Sequence, residues 1–396
     1  MINEKMVGLG EVRSVIRELF EYGKIQKELV GEENVFDFSI GNPSVPSPSI
    51  VKDTLIDLLA NEDPVKLHGY TSAQGDKGVR EAISNYLNKT YKAETDPNLI
   101  YITVGAAAAL TSSLNALCNP GDEVVVIAPF FPEYKVFIEK AQAKIVVASS
   151  DEDTLKPDYK ELDKAINANT KALIIDYPNN PTGVVLNKDE LKELTDFLHQ
   201  KEIEYGHEIY LISDEPYREL IYEDVEYPFV TNYYDNSIVC YSFSKSLSLP
   251  GERIGYVLVN PKCKDANKVY AGICGAARSL GFVCAPALFQ YMIPKTLGYT
   301  GDLSMYKTNR DTLYKGLVEL GYDVVKPVGA FYMFVKSPSG DGKEFSERAK
   351  KYNCLIVPSD SFGMKGYVRM SYCIALDTIK NALPKFKNIM EEYKNG

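Results

Sequence analysis

Between about residues 99 and 258, short apolar runs rich in Ile, Val and Tyr alternate with longer amphipathic segments. This pattern predicts strand and helix units repeated into a mostly parallel sheet. The runs at 99–104, 123–128, 144–149, 172–177, 209–214, 237–242 and 254–259 predict seven strands. Their hydrophobicity is continuous, as expected when helices cover both faces of a sheet. Helices are predicted over 75–91, 106–118, 132–143 and 187–200, the last with acidic residues early and Lys and His late, which suits the helix dipole. Asn119-Pro-Gly and Asn179-Asn-Pro-Thr-Gly183 are turn signals that follow a helix and a strand.

After about residue 290 the pattern changes. A long charged helix near 302–320 precedes the apolar run Gly329-Ala-Phe-Tyr-Met-Phe-Val335, a helix over 343–352, a strand over 367–372 and a final amphipathic helix. A helix near 12–29 comes before the sheet pattern begins and is expected to pack with these elements. The predicted fold class is α/β: a large domain with a mostly parallel seven-stranded sheet between helices, plus a smaller α+β domain formed by the N- and C-terminal segments. The predicted boundaries are 44–290 for the large domain and 1–43 with 291–396 for the small one. Ser339-Gly-Asp-Gly-Lys343 lacks the Gly-x4-Gly-Lys-Ser/Thr spacing of a nucleotide loop and is predicted to turn a hairpin.

Composition narrows the function classes. With 396 residues, 45% hydrophobic and 25% charged, the chain has the size of a two-domain globular enzyme. A formal net charge of -10 leaves no basic stripe for nucleic acid. The seven cysteines are scattered without a Cys-x-x-Cys pair, so neither a disulfide framework nor a zinc site is expected. Only three histidines occur, none in a metal-ligand spacing, and no metal is expected. No run approaches the roughly 20 apolar residues of a membrane span, and no cleavable leader is visible, so a soluble, cytoplasmic protein is expected.

In open α/β sheets, ligand-binding residues gather at the carboxyl ends of the strands. Gly105, Asn180, Asp214, Tyr217, Ser242 and Lys245 all fall at such ends. Ser242-Phe-Ser-Lys245 is followed eight positions later by Arg253, and Asp214 closes the apolar run Ile209-Tyr-Leu-Ile-Ser. A lysine amid hydroxyls, an arginine and a strand-end acid are what a pyridoxal phosphate site requires. Lys245 would form the Schiff base, Ser242 and Arg253 would hold the phosphate, and Asp214 would meet the pyridinium nitrogen. The plainer readings are an exposed loop lysine, a helix N-cap aspartate and, at Asn180, a turn residue.

In this order and spacing the segments resemble the fold-type I, class I/II aminotransferases from about Ile40 to Tyr372. The resemblance implies further roles. Tyr217 and Asn180 would bond the cofactor's phenolic oxygen, with Asn180 also near the substrate, and Tyr217 would join Lys245 and Asp214 as a catalytic residue. Gly105, Ala106 and Ala107 would offer backbone N–H groups to the phosphate at a helix N-terminus, and Phe131 would stack on the ring. Arg369, in Tyr367-Val-Arg-Met-Ser-Tyr372, would grip the substrate α-carboxylate. Gly41 and Asn42 would close on it, and Tyr70 would reach the phosphate of a neighbouring subunit, implying a homodimer.

The implied activity is transfer of the amino group of an L-amino acid to a 2-oxo acid by ping-pong half-reactions, with 2-oxoglutarate the expected acceptor. A C–S lyase or decarboxylase on the same fold is the alternative, and a non-catalytic pyridoxal phosphate-binding regulator a more distant one. The substrate side chain is not legible. Ala107 stands where some aspartate-acting relatives carry a lysine, and Arg278 fits either a reach across a dimer interface or an interface salt bridge.

Overall fold

The computed structural model describes residues 2–11 and 14–395. Its strands are β1 (Phe36–Asp37), β2 (Ile100–Thr103), β3 (Glu123–Ala128), β4 (Lys144–Ser149), β5 (Thr170–Asp176), β6 (Tyr210–Asp214), β7 (Ser237–Ser242), β8 (Gly255–Val259), β9 (Tyr332–Lys336), β10 (Cys354–Leu355), β11 (Val357–Pro358) and β12 (Tyr367–Ser371). The seven predicted central strands are all present and form one sheet in the order β2-β8-β7-β6-β5-β3-β4. From β7 to β4 every pairing is parallel, while β8 runs antiparallel to both β7 and β2.

The sheet is covered on both faces, as its continuous apolar runs require. On one side Ala109, Leu110 and Leu114 of helix Ala106–Leu117 pack on Val124, Val126 and Ile212. On the other, Ile83, Leu87, Leu194 and Leu198 pack on Val125, Leu173 and Leu211. Helix Lys188–Tyr205 starts with a capping box between Asn187 and Glu190 and stops at the left-handed Gly206, beyond its predicted end.

A separate core joins the chain's ends. Phe36, Phe38 and Val45 meet Leu313, Leu317, Phe331, Val368 and Phe386. There β11-β12-β9 form an antiparallel sheet, and β1 pairs with β10. The helix predicted near 12–29 runs Val15–Val30, its predicted start at Val12 lying outside the described residues, and a further, unpredicted helix, Glu4–Glu11, precedes it. The segment 339–343 does not turn a hairpin. It leads from β9 into helix Gly342–Lys350, because the Asp341 side chain accepts from the N–H groups of Lys343 (2.9 Å) and Glu344 (3.1 Å) and so starts a helix. Among the described residues no helix is long and apolar enough to cross a membrane.

Candidate active site

A cavity of about 310 Å³ opens at the carboxyl ends of β5, β6 and β7. Gly41, Ala106, Ala107, Phe131, Asn180, Asp214, Tyr217, Ser242, Lys245, Arg253 and Arg369 all line it. Gly105 stands just behind Arg253, whereas Asn42 and Tyr70 do not line it. The Tyr70 side chain is 97% exposed.

Lys245 is carried by the one-turn helix Phe243–Ser246, which starts where the Ser242 hydroxyl accepts from the Ser244 N–H at 3.1 Å. Its Nζ donates to the Gly41 carbonyl at 2.9 Å. Burial pushes the amine down to about 8, against an opposing contribution from Cys373, and the charges of Arg369 and Arg253 add to the drop. A neutral, nucleophilic amine is therefore accessible near neutral pH.

Asp214 ends β6 and is followed by turns rather than a helix, which removes the N-cap reading. Its Oδ2 accepts the Tyr134 hydroxyl at 2.7 Å, and its Oδ1 is buried without a hydrogen-bond partner. Burial raises the carboxyl to about 7, the Tyr134 bond opposing and Glu215 adding. A cation against the free oxygen would restore the anion, as the protonated nitrogen of a pyridine ring does.

Opposite lies an anion-binding corner. Helix Ala106–Leu117 begins at Gly105 with no side chain capping its first turn, so its N–H groups remain available. Gly105 has φ +89, and a Cβ there would stand 2.6 Å from Arg253 Nη2, so only glycine admits the guanidinium. Arg253 Nη1 donates to the Pro250 carbonyl at 3.0 Å and reaches Ser244 Oγ at 3.5 Å. Phe131 also lines the cavity, its ring edge-on to Tyr134 at 5.6 Å. An anion corner, a flat ring and a carboxylate awaiting a cation together fit pyridoxal phosphate.

Arg369 on β12 is 2% exposed, with Nη2 donating to the Ser39 carbonyl at 2.6 Å and Nη1 to Asn180 Oδ1 at 3.2 Å. Both acceptors are neutral, and its Nε has no partner. The guanidinium lies 4.6 Å from the Tyr332 ring centre. Tyr332 and Tyr217 share a hydrogen bond at 3.2 Å, and burial first, then Tyr332, raise Tyr217 well above its usual range. A Cβ on Gly41 would fall 1.8 Å from the Tyr332 hydroxyl, which explains the glycine.

Among the cavity's residues that sequence reasoning did not single out are Ile16, Asp176, Ser244 and Tyr332. Asp176 closes an apolar strand just as Asp214 does, so the same signal could have found it. Tyr134 and Tyr332 lie inside segments read for other residues, while Ile16 carries no chemical signal at all.

This fold and cavity define a pyridoxal phosphate enzyme of fold type I. The family model described as aminotransferase class I and II matches residues 33–386, and the chain belongs to that family. It is 32% identical to a probable N-acetyl-LL-diaminopimelate aminotransferase of Bacillus subtilis, covering 92% of this chain and 91% of that one. It is also 32% identical to an aspartate aminotransferase of Pyrococcus horikoshii, covering 96% of each. Among solved structures, an aminotransferase from Eubacterium rectale superposes with a TM-score of 0.98 at 52% identity, covering 99% of each chain. Thermus thermophilus aspartate aminotransferase with maleate gives 0.84 at 25% identity, covering 98% and 99%. The protein is thus a pyridoxal phosphate-dependent transaminase with a mostly parallel α/β fold.

Proposed function

We propose that Lys245, Asp214, Arg253 and Arg369 perform this transamination in the roles their surroundings suit. The observation that carries the reading is the buried Arg369, bonded only to neutral oxygens and sharing one cavity with the depressed-pKa Lys245. A buried cation of this kind needs an anion, and an amino acid's α-carboxylate supplies one with bidentate geometry.

The helix N-terminus at Gly105, Ala106 and Ala107, with Ser242, Ser244 and Arg253, would hold the cofactor's phosphate, Phe131 its ring face, and Asp214 its ring nitrogen. Asn180 gives its carbonyl oxygen to Arg369, which leaves its NH2 group, with the Tyr217 hydroxyl, for the phenolic oxygen. When bound, pyridoxal phosphate supplies an electron sink for the pair left as the substrate Cα loses its proton. Lys245 Nζ takes that proton and returns it, and Arg369 fixes the α-carboxylate so that the Cα–H bond, not the carboxylate bond, faces the amine.

The expected acceptor is 2-oxoglutarate. A division into residues 44–290 and residues 1–43 with 291–396 is supported by cores that are largely distinct, although Val45, Tyr217, Leu220 and Tyr222 pack in the end core and Met292, Ile293, Phe334 and Tyr367 in a sheet core. A homodimer is supported by the fully exposed Tyr70, and cytoplasmic operation by seven cysteines, none in a disulfide. The test is product analysis with a donor panel. Beyond one equivalent per site, oxo acid should form only when an acceptor oxo acid is present, in a one-to-one ratio with new amino acid. Ammonia and pyruvate without an acceptor would establish the lyase instead.

A further inference from the structure

β5 and β6 both end in an aspartate. Asp176 and Asp214 are register partners across the parallel pair, so their side chains leave the sheet on the same face, and both line the cavity. Each is 5% exposed, and each keeps one oxygen, Oδ1, without a partner. Asp176 Oδ2 accepts the Asn180 backbone N–H at 3.1 Å; Asp214 Oδ2 accepts the Tyr134 hydroxyl.

The groups around the pair are Tyr134, Tyr177, Cys240, Glu215, Tyr217 and Tyr332, with Arg369, Lys245 and Arg253 the cations of the same cavity. None of these cations bonds the pair, since Arg369 donates to Ser39 and Asn180, Lys245 to Gly41, and Arg253 to Val104, Ser244 and Pro250. Two neighbouring carboxylates in a buried site do not both ionise. Each carboxyl accepts one hydrogen bond, but the Tyr134 O–H at 2.7 Å favours the Asp214 anion more than the Asn180 N–H at 3.1 Å favours that of Asp176, so the retained proton belongs on Asp176.

We propose that Asp176 is a positioning residue that works as a neutral acid. It keeps one proton, so that Asp214 is the single anion facing the ring nitrogen, and it anchors the Asn180 backbone behind the Asn180–Arg369 bond. The inference rests on the cofactor reading above. Burial, then Asp214, raises Asp176 well above its ordinary value, the direction a retained proton requires.

Infrared spectroscopy of the full-length protein, with and without pyridoxal phosphate, tests this at about pH 8, some four units above an ordinary Asp. The wild type should show the carbonyl stretch of a protonated carboxyl, and Asp176→Asn should lose it; Asp176→Ser serves if that variant does not fold. Asp176→Asn should also leave the pH midpoint of the bound cofactor's visible absorbance unmoved, because one neutral group replaces another. A wild type without the band, or a band that survives both substitutions, overturns the proposal. So does a midpoint moved by about one pH unit, the mark of a lost neighbouring anion. The cofactor-free spectrum is read whether or not turnover is found, which separates failure of this inference from failure of the aminotransferase roles.

Discussion

The Tyr134 hydroxyl donates to Asp214 Oδ2 at 2.7 Å, while Asp214 Oδ1 stays buried and unpartnered. One oxygen is therefore served by the protein, and the other is the one that would meet the cofactor's ring nitrogen on the proposed reading. Tyr134→Phe removes a bond to a charged group, worth about 1.5–3 kcal/mol. The pyridoxal phosphate dissociation constant should rise about tenfold or more, as read by titrating the cofactor-free protein by absorbance.

The same carboxyl gives the protein a pH signature. Asp214 is raised to about 7 from its ordinary 3.8, so the folded state binds more protons than the unfolded chain between those values. Its contribution to stability is present below about pH 4 and is lost as pH rises through about 7. A bound ring cation replaces the proton. The gap in melting temperature between cofactor-loaded and cofactor-free protein should therefore widen from about pH 5 to pH 8, and Asp214→Asn should flatten it.

Arg369→Leu removes the buried cation at the carboxylate end. KM for every amino acid donor should rise by about 30-fold or more, the effect of truncating one partner of a buried charge pair. Amine donors that lack a carboxylate should be affected far less. Steady-state kinetics with paired donors checks both statements.

Much of this architecture was legible because it depends on local chemistry. Seven apolar runs became the seven strands of the central sheet, and Lys245, Asp214 and Arg253 meet because strand-end residues share one crevice. Tertiary packing was not legible. Tyr332 reaches the cavity because Gly183, with φ +73, lets the chain around Pro327–Tyr332 approach to within 3 Å of where a Cβ would stand. Ile16 lines the cavity only because the N-terminal helix packs on Val357 and Phe362. Asn42, expected beside the substrate from the resemblance of its segment to the family, is exposed and does not line the cavity, since a motif match does not say which way a loop side chain points. Asp176 was legible in principle but was read as strand.

The claim that Lys245 is the amine at the centre of the reaction is tested most directly by Lys245→Ala, assayed for exchange of the substrate α-proton with deuterated water. The wild type should exchange the Cα proton of a donor amino acid even without an acceptor, and the variant should show no exchange and lack the visible absorbance of lysine-bound cofactor. Exchange at the wild-type rate in the variant would contradict the account.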